Sequence, residues 1–532
     1  MPPPRATPAD QPPQQIAQSL EDFLLSHPNA AVLEDGKAIF EMHSAKYSLS
    51  TEHNRCTLQL WSEERNLVRR ITATELRKDV LKLTTLRFGQ IKPQTLELAA
   101  DRDRRTKSTR EATRTKYLRV LERVLLRNFP DWHAENFRTA MDLERSFGPA
   151  YARGTLVRGQ HAWAIIAANE EETPATIDGI LTLGILWLAH CRENAGGKRL
   201  FQGLKIIVPK RTAALTLSRL AWLNPNIAKW ELYELDERTE ELEEREAADS
   251  GNLTTRLIHA PNEAAGRERF ASATQKILAL VPEAMRPIVE QKIRSGTELA
   301  FLLHGLEFAR VRTTLNANSF NSNQEITFGA GPNETPLTPE SAPVLSDLVE
   351  KLFHRRHATG SPKDPLFRLQ PERWLESVLR QHIAPIDPHL NPSHVYSQVP
   401  AFAAADRGML DLLGITQDGR LAVIELKADE DLHLALQGLD YWVRVRRHHL
   451  DGSMAQQGHL GEFQRHGYFG GLPLSPAPPR LYLVAPALRI HPATETVLKY
   501  LKPEVDWTLV ALDERWRKEI KVVFRKRSRN QS

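Results

Sequence analysis

Two stretches of the chain alternate short apolar strands with helices, and this alternation restricts the fold more than any other feature. Residues 154–236 read strand, helix, strand, helix, strand: "HAWAIIAAN", "TIDGILTLGILWLAH", "LKIIVP", "LTLSRLAWLN", "KWELYELDE". Residues 420–514 repeat the order with "RLAVIELK", "LHLALQGLDYWVRV", "RLYLVAP", "TETVLKYL", "VDWTLVALDE". Strands that alternate with helices form a mainly parallel sheet covered by helices. Each stretch is therefore expected to form an α/β layer.

The two stretches also suggest an internal repeat, because both close on a strand that ends in Leu-Asp-Glu. In this register Ala167 lies opposite Glu425, and Asn169 lies opposite Lys427. Two interpretations stay open. The middle stretch is a degenerate α/β copy that lacks the charged residues of the last domain, or it is an unrelated α/β layer with a similar pattern.

The length of 532 residues exceeds what one hydrophobic core supports, so several domains are expected. The predicted fold class is α/β within domains and α+β overall. The predicted boundaries are a disordered Pro-rich tail over 1–20, a small β-domain over 30–100, a basic helical connector over 101–150, an α/β domain over 151–327, a linker with one helix over 328–365, and a second α/β domain over 366–525.

Composition narrows the function classes only slightly. Lys and Arg number 71 against 66 Asp and Glu, and this net charge of +5 neither requires nor excludes a polyanionic partner. The two cysteines, Cys56 and Cys191, form no disulfide or metal pattern and fit a cytoplasmic protein. No apolar run approaches the ~20 residues that span a bilayer, and the first residues have no apolar core typical of a signal peptide. A membrane partner is therefore not expected.

Residues 411–427, "DLLGITQDGRLAVIELK", read as an apolar hairpin that carries three charged side chains. The loop 417–419 ends in glycine, where a three-residue hairpin loop needs a left-handed backbone. The register set by this loop places Asp411 directly opposite Glu425, with Cβ atoms ~5 Å apart. Lys427 lies two residues beyond Glu425 and therefore shares its face.

Two opposed carboxylates at the end of an apolar ladder repel each other, so a compensating charge is expected. A hard divalent cation would take oxygens from both Asp411 and Glu425 while keeping several waters. Lys427 would then orient or deprotonate a metal-bound water. The structural alternative is a salt-bridge cluster in which both carboxylates share Lys427.

These residues resemble a known family. Asp411, thirteen intervening residues and Glu425-Leu426-Lys427 are similar to the PD-(D/E)XK nuclease signature. The surrounding sequence, "RGMLDLLGITQDGRLAVIELKA", most resembles the NucS-type endonuclease domain. One element of the family pattern is missing, since Leu410 stands where many members carry a proline beside the aspartate.

Two helices extend the resemblance. Glu376 in "PERWLESVLRQHI" matches the glutamate that members carry on the helix before the first core strand. Gln437 and Tyr441 match the Gln-x-x-x-Tyr of RecB-like members and lie at i and i+4 on one helical face. The resemblance covers residues 366–515 at most.

The resemblance implies a restriction-endonuclease-like mixed sheet flanked by helices, and a magnesium-dependent endonuclease that hydrolyses phosphodiester bonds, with DNA expected as the substrate and RNA left open. Asp411, Glu425 and the Leu426 carbonyl would bind Mg²⁺, or Mn²⁺ in its place. Lys427 would assist the water, and Glu376 would hold a second cation or its water. The alternative is a non-catalytic nucleic-acid-binding or scaffold protein on the same fold. The oligomeric state stays open, with a dimer among the alternatives.

Other polar and aromatic groups have two interpretations each. The "RVRRHH" run at 444–449 either supplies cations to a bound phosphate or forms a solvated helix end. Three aromatic residues either stack on unpaired bases or pin a loop to the core: Phe463, Tyr468 and Phe469. In or beside the strands of residues 154–236, three basic residues are expected to form a surface suited to phosphates: Arg153, Arg158 and Lys205.

Overall fold

The computed structural model describes residues 11–34, 37–42, 45–51, 55–61, 66–86, 93–100, 107–140, 142, 147–246, 255–315, 322–330, 334–403, 409–451 and 461–528. The chain is mixed α/β with several sheets, and it divides into two compact units. The first unit comprises Met1–Arg105 and Pro261–Leu369, and the second comprises Thr106–Ala260 and Gln370–Ser532. The predicted α/β domain over 151–327 therefore takes in residues of both units, because the chain passes from the second unit to the first after Ala260. No helix in the described ranges is long and apolar enough to cross a membrane.

The first unit begins with a helix packed on an antiparallel sheet. Its elements are α1 (Pro13–Ser26), β1 (Ala31–Glu34), β2 (Lys37–Glu41), β3 (Lys46–Ser50), β4 (Cys56–Trp61), β5 (Asn66–Arg77), β6 (Val80–Leu86) and β7 (Gln94–Ala99), with strand order β2-β1-β7-β6-β5-β4-β3. The prediction of disorder over 1–20 is wrong for Pro13 onward. Proline is well placed in the first turn of a helix, and Ile16, Leu20 and Phe23 form one buried face.

The second unit begins with a layer that we call the middle layer, residues 107–257. Its elements are α2 (Lys107–Asn128), β8 (His133–Arg138), β9 (Tyr151–Arg158), β10 (His161–Ala168), α3 (Pro174–Asp178), α4 (Ile180–Asn194), β11 (Leu200–Pro209), α5 (Ala214–Leu220), β12 (Lys229–Asp236), β13 (Glu241–Arg245) and β14 (Thr255–Leu257). The sheet runs β13-β12-β11-β10-β9-β8. The pairs β10/β11 and β11/β12 are parallel, and the remaining pairs are antiparallel.

The chain then returns to the first unit through α6 (Glu263–Arg269), α7 (Ala271–Ala279), β15 (Val289–Ser295), β16 (Glu298–Leu303), β17 (Leu306–Leu315), β18 (Ser322–Phe328), β19 (Thr335–Pro336), α8 (Ala342–Arg355) and α9 (Pro365–Arg368). The strands form an antiparallel sheet in the order β15-β16-β17-β18-β19. Helix α8 buries Leu345, Val349 and Leu352 in the core of this sheet. The predicted linker over 328–365 is therefore part of a packed core.

The second unit closes with a layer that we call the C-terminal layer, residues 370–528. It contains α10 (Pro371–Gln381), β20 (Tyr396–Ala403), β21 (Met409–Ile415), β22 (Leu421–Leu426), α11 (Leu434–Arg446), α12 (Glu462–Arg465), β23 (Arg480–Pro486), α13 (Pro492–Leu498), β24 (Trp507–Leu512) and β25 (Val522–Arg527). The sheet runs β14-β20-β21-β22-β23-β24-β25. The pairs β22/β23 and β23/β24 are parallel, and the other pairs are antiparallel.

The two layers of the second unit are structural repeats. Strands β8 to β13 have the same neighbours and the same relative directions in their sheet as strands β20 to β25 have in theirs. In each layer a helix follows the first strand of the parallel set, and a shorter helix follows the second. The two layers therefore share one strand order and one set of strand directions, as a repeat requires.

The predicted alignment of the two repeats is wrong by one residue. Gly184 in α4 faces Ile166, and Gly438 in α11 faces Glu425, so the position of Glu425 is held by Ile166 and that of Lys427 by Ala168. The strand registers agree, because Ile166 pairs with Ile206 and Glu425 pairs with Leu483, each three residues before a strand-ending proline.

Candidate functional site

The hairpin of β21 and β22 has the predicted register. Leu412 pairs with Ile424 and Ile415 with Leu421, and one further step along this ladder brings Asp411 opposite Glu425. Gly419 in the loop has a φ of +81°, and a Cβ there would lie 2.4 Å from the Pro473 carbonyl oxygen. Any other residue would be strained at this position. The loop therefore fixes the register that opposes the two carboxylates.

Asp411 lies at the end of this ladder. Its Oδ2 accepts a hydrogen bond of 2.9 Å from the backbone N–H of Leu426, which fixes the carboxyl plane. Burial raises the pKa of Asp411 from 3.8 to about 6, and the neighbouring Glu376 carboxylate adds to this increase. The site thus disfavours the negative charge on Asp411.

Glu425 is the most buried acid of the group, with 2% of its surface exposed. Its Oε1 accepts a hydrogen bond of 3.2 Å from Lys427 Nζ. Its Oε2 is buried and has no hydrogen-bond partner among the described residues. Burial raises the pKa of Glu425 well above 4.5, and Asp411 raises it further. A buried carboxylate oxygen without a partner is costly, so this oxygen is a ready ligand for a cation.

Lys427 is surrounded by acids. Its Nζ lies 3.2 Å from Glu425 Oε1, 3.8 Å from Glu372 Oε1 and 3.8 Å from Asp431 Oδ2. Burial alone would lower the pKa of Lys427, but Glu425 and its other acidic neighbours raise it above 10.5. Lys427 is therefore an ammonium ion. The salt-bridge alternative is partly present, since Lys427 pairs with Glu425, but its other ion-pair partners are Glu372 and Asp431.

Glu376 on α10 lies beside Asp411. It is 6% exposed, its Oε2 accepts a hydrogen bond of 2.6 Å from Gln398 Nε2, and it pairs with Arg373 at 3.1 Å. Gln398 has a φ of +56° and sits between the paired residues Ser397 and Val399 of β20. The left-handed backbone at Gln398 accompanies its hydrogen bond to the acid.

Sequence reasoning missed four of these residues: Glu372, Arg373, Gln398 and Asp431. Two carry a signal that was available, because Glu372 is four residues before Glu376 on the same helix and Asp431 is four residues after Lys427. Gln398 carries none, because its position depends on a local irregularity of β20.

The structure places the remaining predicted residues on α11, next to the strand that carries Glu425. A Cβ built on Gly438 lies 3.6 Å from Glu425 Cβ, so this helix covers the acid closely. Gln437 Oε1, one residue away, is buried without a hydrogen-bond partner among the described residues. The Tyr441 ring packs on the core, with the Arg444 guanidinium carbon 5.6 Å from its centroid.

The flanking groups have structural contacts in place of the proposed phosphate and base contacts. In the 444–449 run, Arg446 lies 4.8 Å over the Trp222 ring, and His448 pairs with Glu462 at 3.0 Å. The three aromatic residues proposed to stack on bases are buried and pin their loop to the core: Phe463, Tyr468 and Phe469.

The basic residues of the middle layer are also engaged. Arg153 is 1% exposed, and Lys205 is enclosed by the rings of Phe129, Trp163 and Tyr233. The guanidinium of Arg158 lies 4.9 Å over the Trp132 ring. The prediction that these residues present a phosphate-binding surface is therefore wrong for Arg153 and Lys205, which are buried.

The donor set can be tested for a divalent cation. Within the described ranges, no group of three or more His, Cys, Asp or Glu side chains is arranged to hold a metal. A magnesium ion needs fewer, because it binds through one or two carboxylates and keeps its waters. The pKa values of Asp411, Glu425 and Glu372 are all raised, first by burial and then by neighbouring acids. The acids outweigh the positive charge of Lys427 in this pocket, and the oxygens of Asp411 and Glu425 are donors that suit a hard cation.

Comparison with known proteins adds no family to this description. No family model matches the chain, and no curated protein matches it.

Proposed function

We propose that the second unit is a metal-dependent nuclease of the PD-(D/E)XK type, which hydrolyses phosphodiester bonds in DNA. The single observation that supports this most is the register of β21 and β22, which one step beyond the pair Leu412/Ile424 sets Asp411 opposite Glu425, with Lys427 Nζ 3.2 Å from Glu425 Oε1. A salt bridge alone does not account for this arrangement, because Glu425 Oε2 has no partner among the described residues. The mixed sheet of the C-terminal layer is consistent with a restriction-endonuclease-like arrangement.

Mg²⁺ would be held by Asp411, Glu425 and the Leu426 carbonyl, where it supplies a Lewis acid for the phosphate and lowers the pKa of a bound water. Lys427 holds its proton, because the surrounding carboxylates raise its pKa. It therefore donates hydrogen bonds and stabilises negative charge that develops on the phosphate. Of the two roles considered for Lys427, orienting a water is favoured over deprotonating it.

Glu376 has a supporting role in this proposal. Its hydrogen bond from Gln398 and its ion pair with Arg373 hold its carboxylate beside Asp411. Its charge increases the pKa of Asp411 and so strengthens the demand for a cation there. Arg373 and Gln398 also orient the Glu376 carboxylate.

The test compares the purified chain with its Lys427→Met and Glu425→Gln variants on plasmid and on single-stranded DNA, with Mg²⁺ or Mn²⁺ and with EDTA. We expect cleavage by the wild type with metal, none with EDTA, and loss of cleavage in both variants. Unchanged cleavage by both variants would refute the site. Metal-independent binding of DNA without any cleavage would favour the non-catalytic alternative.

A further inference from the structure

The two layers of the second unit meet through an interface in which equivalent residues contact each other reciprocally. Leu223 and Leu501 form an antiparallel bridge. The backbone N–H of Asn224 donates to the Tyr500 carbonyl at 2.8 Å, and that of Lys502 donates to the Trp222 carbonyl at 2.9 Å. These residues belong to matching segments, "LAWLNP" at 220–225 and "LKYLKP" at 498–503. Leu223 therefore contacts its own counterpart.

A second pair of contacts repeats the same relation. The guanidinium of Arg192, from α4, lies 6.0 Å over the Tyr500 ring. Its counterpart Arg446, from α11, lies 4.8 Å over the Trp222 ring. Contacts in which residue i meets j and the copy of j meets the copy of i are the mark of two-fold symmetry. The two layers thus form a pseudo-symmetric dimer within one chain.

The equivalent helix starts lie close to this pseudo-two-fold axis. Gly179 precedes α4 and His433 precedes α11, and both stand five residues before the glycine that faces the sheet. A Cβ built on Gly179 lies 2.9 Å from His433 Cε1, and His433 Nδ1 lies 3.0 Å from Thr182 Oγ1. Because α11 also covers Glu425, the candidate site and its counterpart in the middle layer both lie beside helices that meet at the axis.

The counterpart pocket carries other residues at the positions of Asp411, Glu425 and Lys427. Ile166 stands at the position of Glu425, and its strand partner Arg153 stands at the position of Asp411. Arg153 packs against the rings of Phe147 at 4.7 Å and Trp187 at 5.9 Å. Ile166 is fully buried, and Ala168 replaces Lys427. A pocket with these groups lacks the two opposed carboxylates that a hard cation would take.

We propose that this chain is a built-in dimer with one competent half, and that it breaks one strand of duplex DNA in each binding event. The proposal rests on the proposed nuclease function and deepens it. The two strands of a duplex are related by two-fold axes, and symmetric dimers bind DNA by matching them. A pseudo-symmetric body with one competent pocket therefore presents catalytic groups to one strand, and the counterpart pocket leaves the opposite strand intact.

The experiment follows negatively supercoiled plasmid with Mg²⁺ or Mn²⁺, using less enzyme than plasmid, and separates open-circular from linear product. The Ile166→Val variant is the matched control for Glu425→Gln, since the two residues hold equivalent positions. Circular dichroism checks that both variants fold. We expect open-circular DNA to accumulate first, linear DNA to appear after a lag as independent nicks coincide, the same time course with Ile166→Val, and no product with Glu425→Gln.

Two outcomes would overturn the proposal, and they differ in what they say about the nuclease function. If linear DNA forms without a lag and Glu425→Gln abolishes it, the function stands and the one-strand proposal is refuted. If the wild type gives no product with either metal, the nuclease function fails, and this inference fails with it.

Discussion

Replacing Asp411 with asparagine should stabilise the metal-free protein, although it removes a residue of the candidate site. The pKa of Asp411 rises from 3.8 to about 6 on folding, chiefly through burial. A difference of about 2 in pKa corresponds to roughly 3 kcal/mol of unfavourable free energy for the ionised form at neutral pH. The asparagine carbonyl can still accept the hydrogen bond from the Leu426 N–H. We therefore expect Asp411→Asn to gain about 1–3 kcal/mol of stability in EDTA at pH 7.5.

The sign of the pH dependence follows from the direction of this pKa change. An acid whose pKa is raised by folding costs no stability below its unfolded pKa and costs most above its folded pKa. The advantage of Asp411→Asn should therefore be full at pH 7.5, shrink as the pH falls through about 6, and vanish near pH 4. Calorimetry in EDTA at several pH values measures this stability difference. It can also separate the transitions of the two units if they unfold one after the other.

Asp387 provides the matched control. It is 3% exposed, and although burial would raise its pKa, hydrogen bonds from the His389 N–H and the Tyr482 hydroxyl hold its pKa below 3.8. Asp387→Asn should therefore destabilise the protein at pH 7.5. The reasoning about Asp411 is refuted if Asp411→Asn is less stable than the wild type in EDTA, or if its advantage does not change with pH.

Three further predictions concern the charge, the packing and the interface. Lys427→Met should lower the rate of cleavage by about 10²–10³-fold, the loss typical of one preorganised donor, and should also lower the melting temperature, because the acids around Lys427 stabilise its ammonium in the folded protein; a smaller loss in a single-turnover assay would mean that another group supplies the charge. Gly438→Ala should lower cleavage and stability together, since the added Cβ would lie 2.4 Å from Leu483 Cδ2 beside Glu425, whereas Gly184→Ala in the other layer should lower stability alone; equal activity losses in the two variants would count against the assignment of one competent half. Arg446→Ala should destabilise the second unit in chemical denaturation by about 1 kcal/mol through the lost contact with Trp222, and an unchanged midpoint would show that this contact is energetically neutral.

The hairpin was predictable because its register depends on local sequence. A glycine in a left-handed conformation and an alternating ladder are sufficient to oppose Asp411 and Glu425, and the structure has that register. The order of strands and helices along each layer was predictable for a similar reason, whereas the expected mainly parallel sheet is wrong, because most described strand pairs of both sheets are antiparallel. These features are set by residues close together in the chain.

Features that depend on distant segments were not predictable. The alignment of Ala167 with Glu425 is wrong by one residue, and the facing glycines Gly184 and Gly438 reveal the correct alignment only once the helices are placed. Contacts between segments far apart in sequence also bury Phe463 and Tyr468 and place Arg446 over the Trp222 ring. Composition alone could not distinguish these groups from nucleic-acid contacts.

The most direct test of the central claim is the anomalous scattering of Mn²⁺ in crystals of the chain. The proposed cation site is supported by the two carboxylates, by Glu425 Oε2, which has no partner among the described residues, and by the raised pKa values of both acids. The account predicts a manganese peak in contact with Asp411, Glu425 and the Leu426 carbonyl, and none beside Ile166 in the middle layer. The absence of a peak at Asp411 and Glu425 in crystals saturated with Mn²⁺, with Lys427 still paired to Glu425, would contradict it.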